Sequence, residues 1–167
     1  MHDLAMKILG ATGTSIFAVG QAGFIIKSNS GQMLAIDLYI SDCVERIEGN
    51  VGFKRLLPKI LSPFDLEFDA VICTHPHCDH FDIDAVPEML SNGRTKLFCS
   101  IDCAELVKTL QMEYNKTQIT YVKPSESYEV GAFPIIFVYC LHGSPALHRV
   151  GVFLRVDGKP IYRSPDT

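Results

Sequence analysis

Three imidazoles and a carboxylate fall within six consecutive positions of this 167-residue chain: His75, His77, Asp79 and His80, in the run Thr74-His75-Pro76-His77-Cys78-Asp79-His80. Imidazole nitrogen and carboxylate oxygen are ligands for Zn²⁺ or Mn²⁺, and iron accepts the same set, so this density points to a divalent-metal centre. The preceding residues, Phe68-Asp69-Ala70-Val71-Ile72-Cys73, form a largely apolar run that reads as a strand. A strand ending there delivers His75 and His77 two residues apart, on the same side of an extended backbone. A lone histidine is ordinarily a hydrogen-bonded core or surface residue, but four ligand types in this order are not explained that way.

Other reactive residues carry weaker signals. Lys54 and Arg55 are adjacent cations that suit a phosphate anchor, with a solvated surface pair as the alternative. Cys99 and Cys103 lack a second pair at zinc-ribbon spacing, and the cysteines are expected to stay reduced. No serine or cysteine stands in an arrangement that calls for a covalent nucleophile.

The elements that must position the histidines follow from patterning. Nine β-branched or aromatic stretches read as strands: 14–19, 23–28, 33–37, 69–74, 96–100, 118–122, 135–140, 151–156 and 160–163. Gly31-Gln32 and Asp157-Gly158 read as hairpin turns. Two helices are expected, one over 85–91 behind an Asp84 N-cap with Pro87 in its first turn, the other opened by Asp102 and Glu105 as a capping box. Residues 43–67 read as a partly ordered insertion with helical potential around Phe53 to Leu57, interrupted by Pro58 and Pro63. An early antiparallel meander, then strand–helix–strand units, then further strands give an α/β (α+β) fold with helices packed on a mixed sheet, read as one domain.

The His-x-His-x-Asp-His pattern behind an apolar strand resembles the signature of the metallo-β-lactamase superfamily. Gly20 to Phe24, Ile36 to Asp42, Thr74 to Asp82, Leu141-His142-Gly143, Val150-Gly151 and Ser164 to Thr167 look like its L-ascorbate-6-phosphate lactonase branch. The resemblance implies an αββα sandwich and a metal-dependent hydrolase acting through metal-activated water. It implies that His75, His77 and His142 hold a first divalent metal, that Asp79 and His80 belong to a second, and that Asp166 bridges them. Asp37 is implied as the buried support of the His-rich loop, and Asp79 as a residue that also positions the water.

The chain departs from that pattern in places. Leu141 and Pro165 stand where the family has aspartate and glycine, and Pro165 puts the family path of the Asp166 loop in question, because proline's φ is fixed. His148 and Arg149 occupy positions where a carboxylate and a small residue are expected, so His148 is a candidate substitute ligand. Family members continue past the fourth motif with a last histidine and a helical layer, so the fold is expected to be incomplete at its C-terminal end. An apolar sheet face is then left open to self-association as a homo-oligomer.

Composition narrows the function. With 47% hydrophobic and 20% charged residues the chain has ordinary globular make-up, and a net charge of −4 without a basic stripe disfavours nucleic acid and a nuclease activity. No stretch reads as a signal peptide or a membrane span, so a cytoplasmic protein with a small-molecule substrate is expected. Two functions compete: hydrolysis of a small ester or lactone, such as a phosphorylated sugar lactone, with one or two metals per chain, and a non-catalytic metal-binding remnant that works by assembly. A phosphodiesterase or nuclease of the same fold is a third reading, disfavoured by the charge.

Overall fold

The structure is a computed structural model that describes residues 2–52, 54–112, 116–141 and 148–166. Three strands, β1 (Ser15–Ala18), β2 (Phe24–Lys27) and β3 (Met33–Ile36), form the antiparallel meander, with Phe17 opposite Ile25 and Ile25 opposite Ala35. Strands β4 (Ala70–Cys73), β5 (Lys96–Ser100) and β6 (Ile119–Val122) then add in parallel, giving one six-stranded sheet in chain order. A second, antiparallel sheet holds β7 (Ser127–Val130), β8 (Phe133–Tyr139), β9 (Val150–Val156) and β10 (Lys159–Arg163), ordered β10-β9-β8-β7.

Burial explains why β3 and β4 are continuous apolar runs while β8 alternates. Strands β3 and β4 are buried along their whole length, covered by helices on one face and by the second sheet on the other. The helical side packs Ala5 and Ile8 of α1 (Asp3–Gly10), Val86 and Met89 of α3 (Ala85–Leu90) and Val107 of α4 (Ala104–Thr109) against Ile25, Ala35 and Val71. Between the sheets, Leu34, Ile72 and Phe98 meet Phe133, Ile135, Val152 and Leu154. Strand β8 alternates strictly at its start, burying Phe133, Ile135 and Phe137 and leaving Pro134 and Ile136 outward. Ile136, Phe153 and Tyr162 lie opposite one another across three strands on that outer face, with Ile136 44% and Tyr162 57% exposed. Among the described residues no helix contributes to this side, so the order of layers is helix, sheet, sheet.

Several local expectations are corrected. The helix of the 43–67 stretch is α2 (Cys43–Glu48), not a segment around Leu57. It is closed by Gly49 at φ 77°, whose N–H returns to Glu45 O. Leu57 precedes Pro58, which disfavours helical backbone, and Phe53 lies outside the described residues. Asp84 makes no side-chain cap; the Asp82 carboxylate accepts from Asp84 N and Ala85 N instead. Asp102 forms no capping box either: Ser100 caps the short 3₁₀ turn Ile101–Cys103, and Asp102 turns to His148. Helix α1 and strand β7 escaped the sequence reading. The Asp157-Gly158 turn has both residues at positive φ, 48° and 79°, as a two-residue hairpin requires.

Candidate metal centre

The centre is built where β3 and β4 run out. Asp37 follows β3 with φ 49° and is fully buried. Its Oδ1 accepts from Thr74 N at 2.9 Å, the Thr74 hydroxyl bonds both carboxylate oxygens at 2.9 Å, and Oδ2 lies 3.0 Å from His80 Nδ1. One buried carboxylate thus holds both ends of the His-rich run. The run itself is a tight turn, with His80 N and Phe81 N donating to His77 O at 2.9 and 2.7 Å. Asp82 braces it from outside: Oδ2 accepts from Ile40 N and Ser41 N, and Oδ1 from the Ser41 hydroxyl, while Cys43 Sγ donates to Cys78 O. The hold of Asp82 on residues 40 and 41 has no local sequence signal.

Inside the turn, His75 Nε2 stands 3.0 Å from His77 Nδ1 and 3.4 Å from Asp166 Oδ2. Donor atoms of His75, His77 and Asp166 all lie within 4.8 Å of one another. Two ligands at about 2.1 Å from a tetrahedral zinc are roughly 3.4 Å apart, so these separations fit a shared divalent ion, and two imidazoles with one carboxylate form a suitable donor set. His80 Nε2 meets the other oxygen of Asp166 at 3.1 Å and approaches Asp79 Oδ2 at 3.8 Å. Asp166 thus lies beside His75 and His80 with Pro165 before it, its own φ being 45°.

The electrostatics separate the two buried histidines. Burial, reinforced by His80, His77, Arg149 and Arg163, pushes His75 down to about 2, so its ring is neutral and available as a ligand. Burial would lower His80 as well, but the carboxylates of Asp37, Asp79 and Asp166 outweigh it and hold His80 above its ordinary value. Asp79 is raised chiefly by its own burial.

The remaining candidates are placed elsewhere or not at all. His142 lies outside the described residues. His148 is engaged by Asp102, through its N–H at 2.8 Å and its ring at 3.1 Å, and Leu141 is 75% exposed. Lys54 pairs with Glu45 at 2.8 Å, while Arg55 is buried and donates to Tyr39 O and Pro58 O at 2.7 and 3.0 Å. These two cations are a structural fastening and a surface pair, not a joint phosphate anchor. All six cysteines are free, and among the described residues thiols form no metal-sized group. A depression of about 860 Å³ opens at the other end of the strands, beside Asp69 and Lys96, where Arg94 pairs with Glu67 and Gln32 with Asp69.

Comparison with known proteins bears on the family and the fold. The family model described as a β-lactamase superfamily domain matches residues 39–167. A protein from Veillonella parvula described as a possible metal-dependent hydrolase is similar over 94% of this chain and 64% of its own, with 20% identity and a TM-score of 0.65. CmlA, a diiron β-hydroxylase from Streptomyces venezuelae, is similar over 92% and 30%, with 15% identity and a TM-score of 0.59. The fold protein YhfI from Bacillus subtilis is similar over 92% and 58%, with 20% identity and a TM-score of 0.53. The chain thus spans less than two thirds of the length of each of these structures. No curated protein matches the sequence.

Proposed function

Because the chain belongs to the metallo-β-lactamase superfamily, we propose that it is a metal-dependent hydrolase that opens a small ester or lactone, with a phosphorylated sugar lactone as the leading substrate class. The observation that carries this reading is the convergence of His75, His77 and Asp166 at ligand-to-ligand distances, with Asp37 fixing the loop that presents them. His75, His77 and Asp166 would hold Zn²⁺ or Mn²⁺, with His142 as a further ligand and Asp79 and His80 beside a second ion. A divalent ion there supplies an activated water at neutral pH and positive charge for the developing oxyanion.

The protein's own residues do the rest. Asp37 keeps the His80 ring turned toward Asp166 and ties Thr74 behind His75. Asp79, its carboxyl raised by burial, would accept a proton from the attacking water and return it to the leaving oxygen. The unpaired thiols suit a cytoplasmic setting, and no described helix is long and apolar enough to cross a membrane.

Metal analysis of the purified protein tests the reading together with hydrolysis assays on lactones and a generic phosphodiester. One or two equivalents of metal and a lactonase activity abolished by His77→Ala are expected. Protein that takes up neither Zn²⁺ nor Mn²⁺ and hydrolyses none of these substrates when they are supplied sinks it. A second reading, a metal-binding element that works by self-association, is favoured by the exposed Ile136–Phe153–Tyr162 face. Sedimentation velocity separates the two, since a monomer that turns over substrate excludes it.

A further inference from the structure

Arg149 is 1% exposed, and its Nε and both terminal nitrogens have no hydrogen-bond partner among the described residues. Arginine cannot relieve such burial by losing its proton, as lysine can, so a charged guanidinium left this way calls for an anion. The chain's own carboxylates nearby are committed. Asp37 serves Thr74 and His80, Asp166 faces His75 and His80, and Asp102 holds His148. The other arginines of the region are served differently. Arg55 has two carbonyl acceptors, and Arg163 contacts Ala22 O and Ser164 O and lies 3.8 Å from Asp37.

The backbone puts Arg149 beside the metal centre. Val150 N donates to Thr74 O at 3.3 Å, next to His75, and the Ser100 hydroxyl donates to His148 O at 2.7 Å, so both neighbours of Arg149 are pinned at the ends of β4 and β5. We propose that Arg149 is the oxyanion-binding residue of this centre, its planar guanidinium taking two oxygens of a phosphoryl or carboxylate group on the molecule held at His75, His77 and Asp166. The proposal rests on the hydrolase reading for its substrate but not for its anion. It transfers the anchoring role from the Lys54–Arg55 pair to a residue whose side-chain donors have no partner among the described residues.

The test uses the full chain stripped of metal with a chelator, with inorganic phosphate and acetate as probes and chloride as the ionic-strength control. Phosphate or acetate is expected to raise the Tm of the wild type, to raise that of Arg149→Lys less, and to leave Arg149→Met unmoved. Arg149→Met without added anion is expected to melt no lower than the wild type, because it removes an unpaired buried charge. Equal stabilisation of wild type and both variants, or none in any, overturns the proposal. If Arg149→Met does not fold, Arg149→Lys decides. With metal restored, the preference for an anionic ester over its neutral isostere should fall about tenfold in Arg149→Lys at unchanged metal content. Loss of all hydrolysis in the wild type would count against the hydrolase reading while leaving the anion result to stand.

Discussion

Asp37 concentrates more of the centre than any metal ligand does. Its buried carboxylate is the acceptor for Thr74 and the counter-charge of His80, so Asp37→Asn removes charge while keeping size. We expect a loss of metal affinity of roughly 10- to 100-fold, read by competition with a chromophoric chelator, and a loss of stability of about 3 kcal/mol in denaturant melts, because His80 keeps a buried ring without its partner. Unchanged affinity would show that the loop holds its shape without the carboxylate. The histidines also predict a pH response of the metal-free protein. His75 is pushed down to about 2, below the ordinary imidazole value of 6.5, so its contribution is present above about 6.5 and is lost as the pH falls toward 2. His80 is raised, so its contribution is present below 6.5 and lost as the pH rises through its folded value. His75→Gln should therefore flatten the acid limb of a plot of denaturation midpoint against pH, and a slope that stays unchanged would contradict the burial assigned to it. The sequence disclosed the histidines because their spacing is local. Asp37 and Asp166 came only through family resemblance, and Arg149 as an unpartnered cation was not legible, since its burial arises from elements far apart in the chain.

Among the elements, the bend before β2 shows how backbone shape serves the centre. A Cβ at Gly23 would meet Leu38 Cα at 2.8 Å and Asp37 O at 2.9 Å, both backbone atoms that cannot swing aside. Gly23→Ala is expected to cost about 1–3 kcal/mol by overpacking, and to weaken metal binding by displacing Asp37, with thermal melts and the same chelator competition as readouts. A variant as stable and as metal-avid as the wild type would mean that the two segments separate easily. Asp82 works at the other junction, capping α3 while binding residues 40 and 41. Asp82→Ala should lose at least about 1 kcal/mol, the ordinary worth of a cap, and amide exchange should quicken at 40–41 and 84–85 together. The strands were readable because their apolar runs and turn residues agree. Helix α2 was misplaced because its closing signal is a single left-handed glycine, Gly49, and β7 was missed because Ser127-Tyr128-Glu129-Val130 buries fully only Val130.

At the scale of the molecule, the centre joins the two sheets. His75, His77 and His80 leave the first sheet after β4, whereas Asp166 arrives from the second, three residues after β10. Other ties between the sheets are scattered: Asp157, at the β9–β10 turn, accepts from Thr14 Oγ1 and Asn29 N at 2.7 and 2.8 Å, Arg163 donates to Ala22 O, and its guanidinium lies 5.5 Å from the centre of the Phe24 ring. The apolar layer between the sheets is the main adhesive, and at the end where the histidines lie only single hydrogen bonds such as Val150 N to Thr74 O and Ser100 Oγ to His148 O supplement it among the described residues. A divalent ion shared by His75, His77 and Asp166 would close that end, and its binding energy would appear as folding stability. At a free metal concentration 100 times the Kd, the gain is about 2.7 kcal/mol. Chelator treatment should lower the Tm accordingly. It should also speed hydrogen exchange in two segments distant in sequence, 74–80 and 160–166, while leaving β2 and β3 protected. Asp166→Asn should reproduce the faster exchange at 160–166 with metal present. If chelation alters only the 74–80 segment, Asp166 is not a ligand, and the metal is held by the first sheet alone.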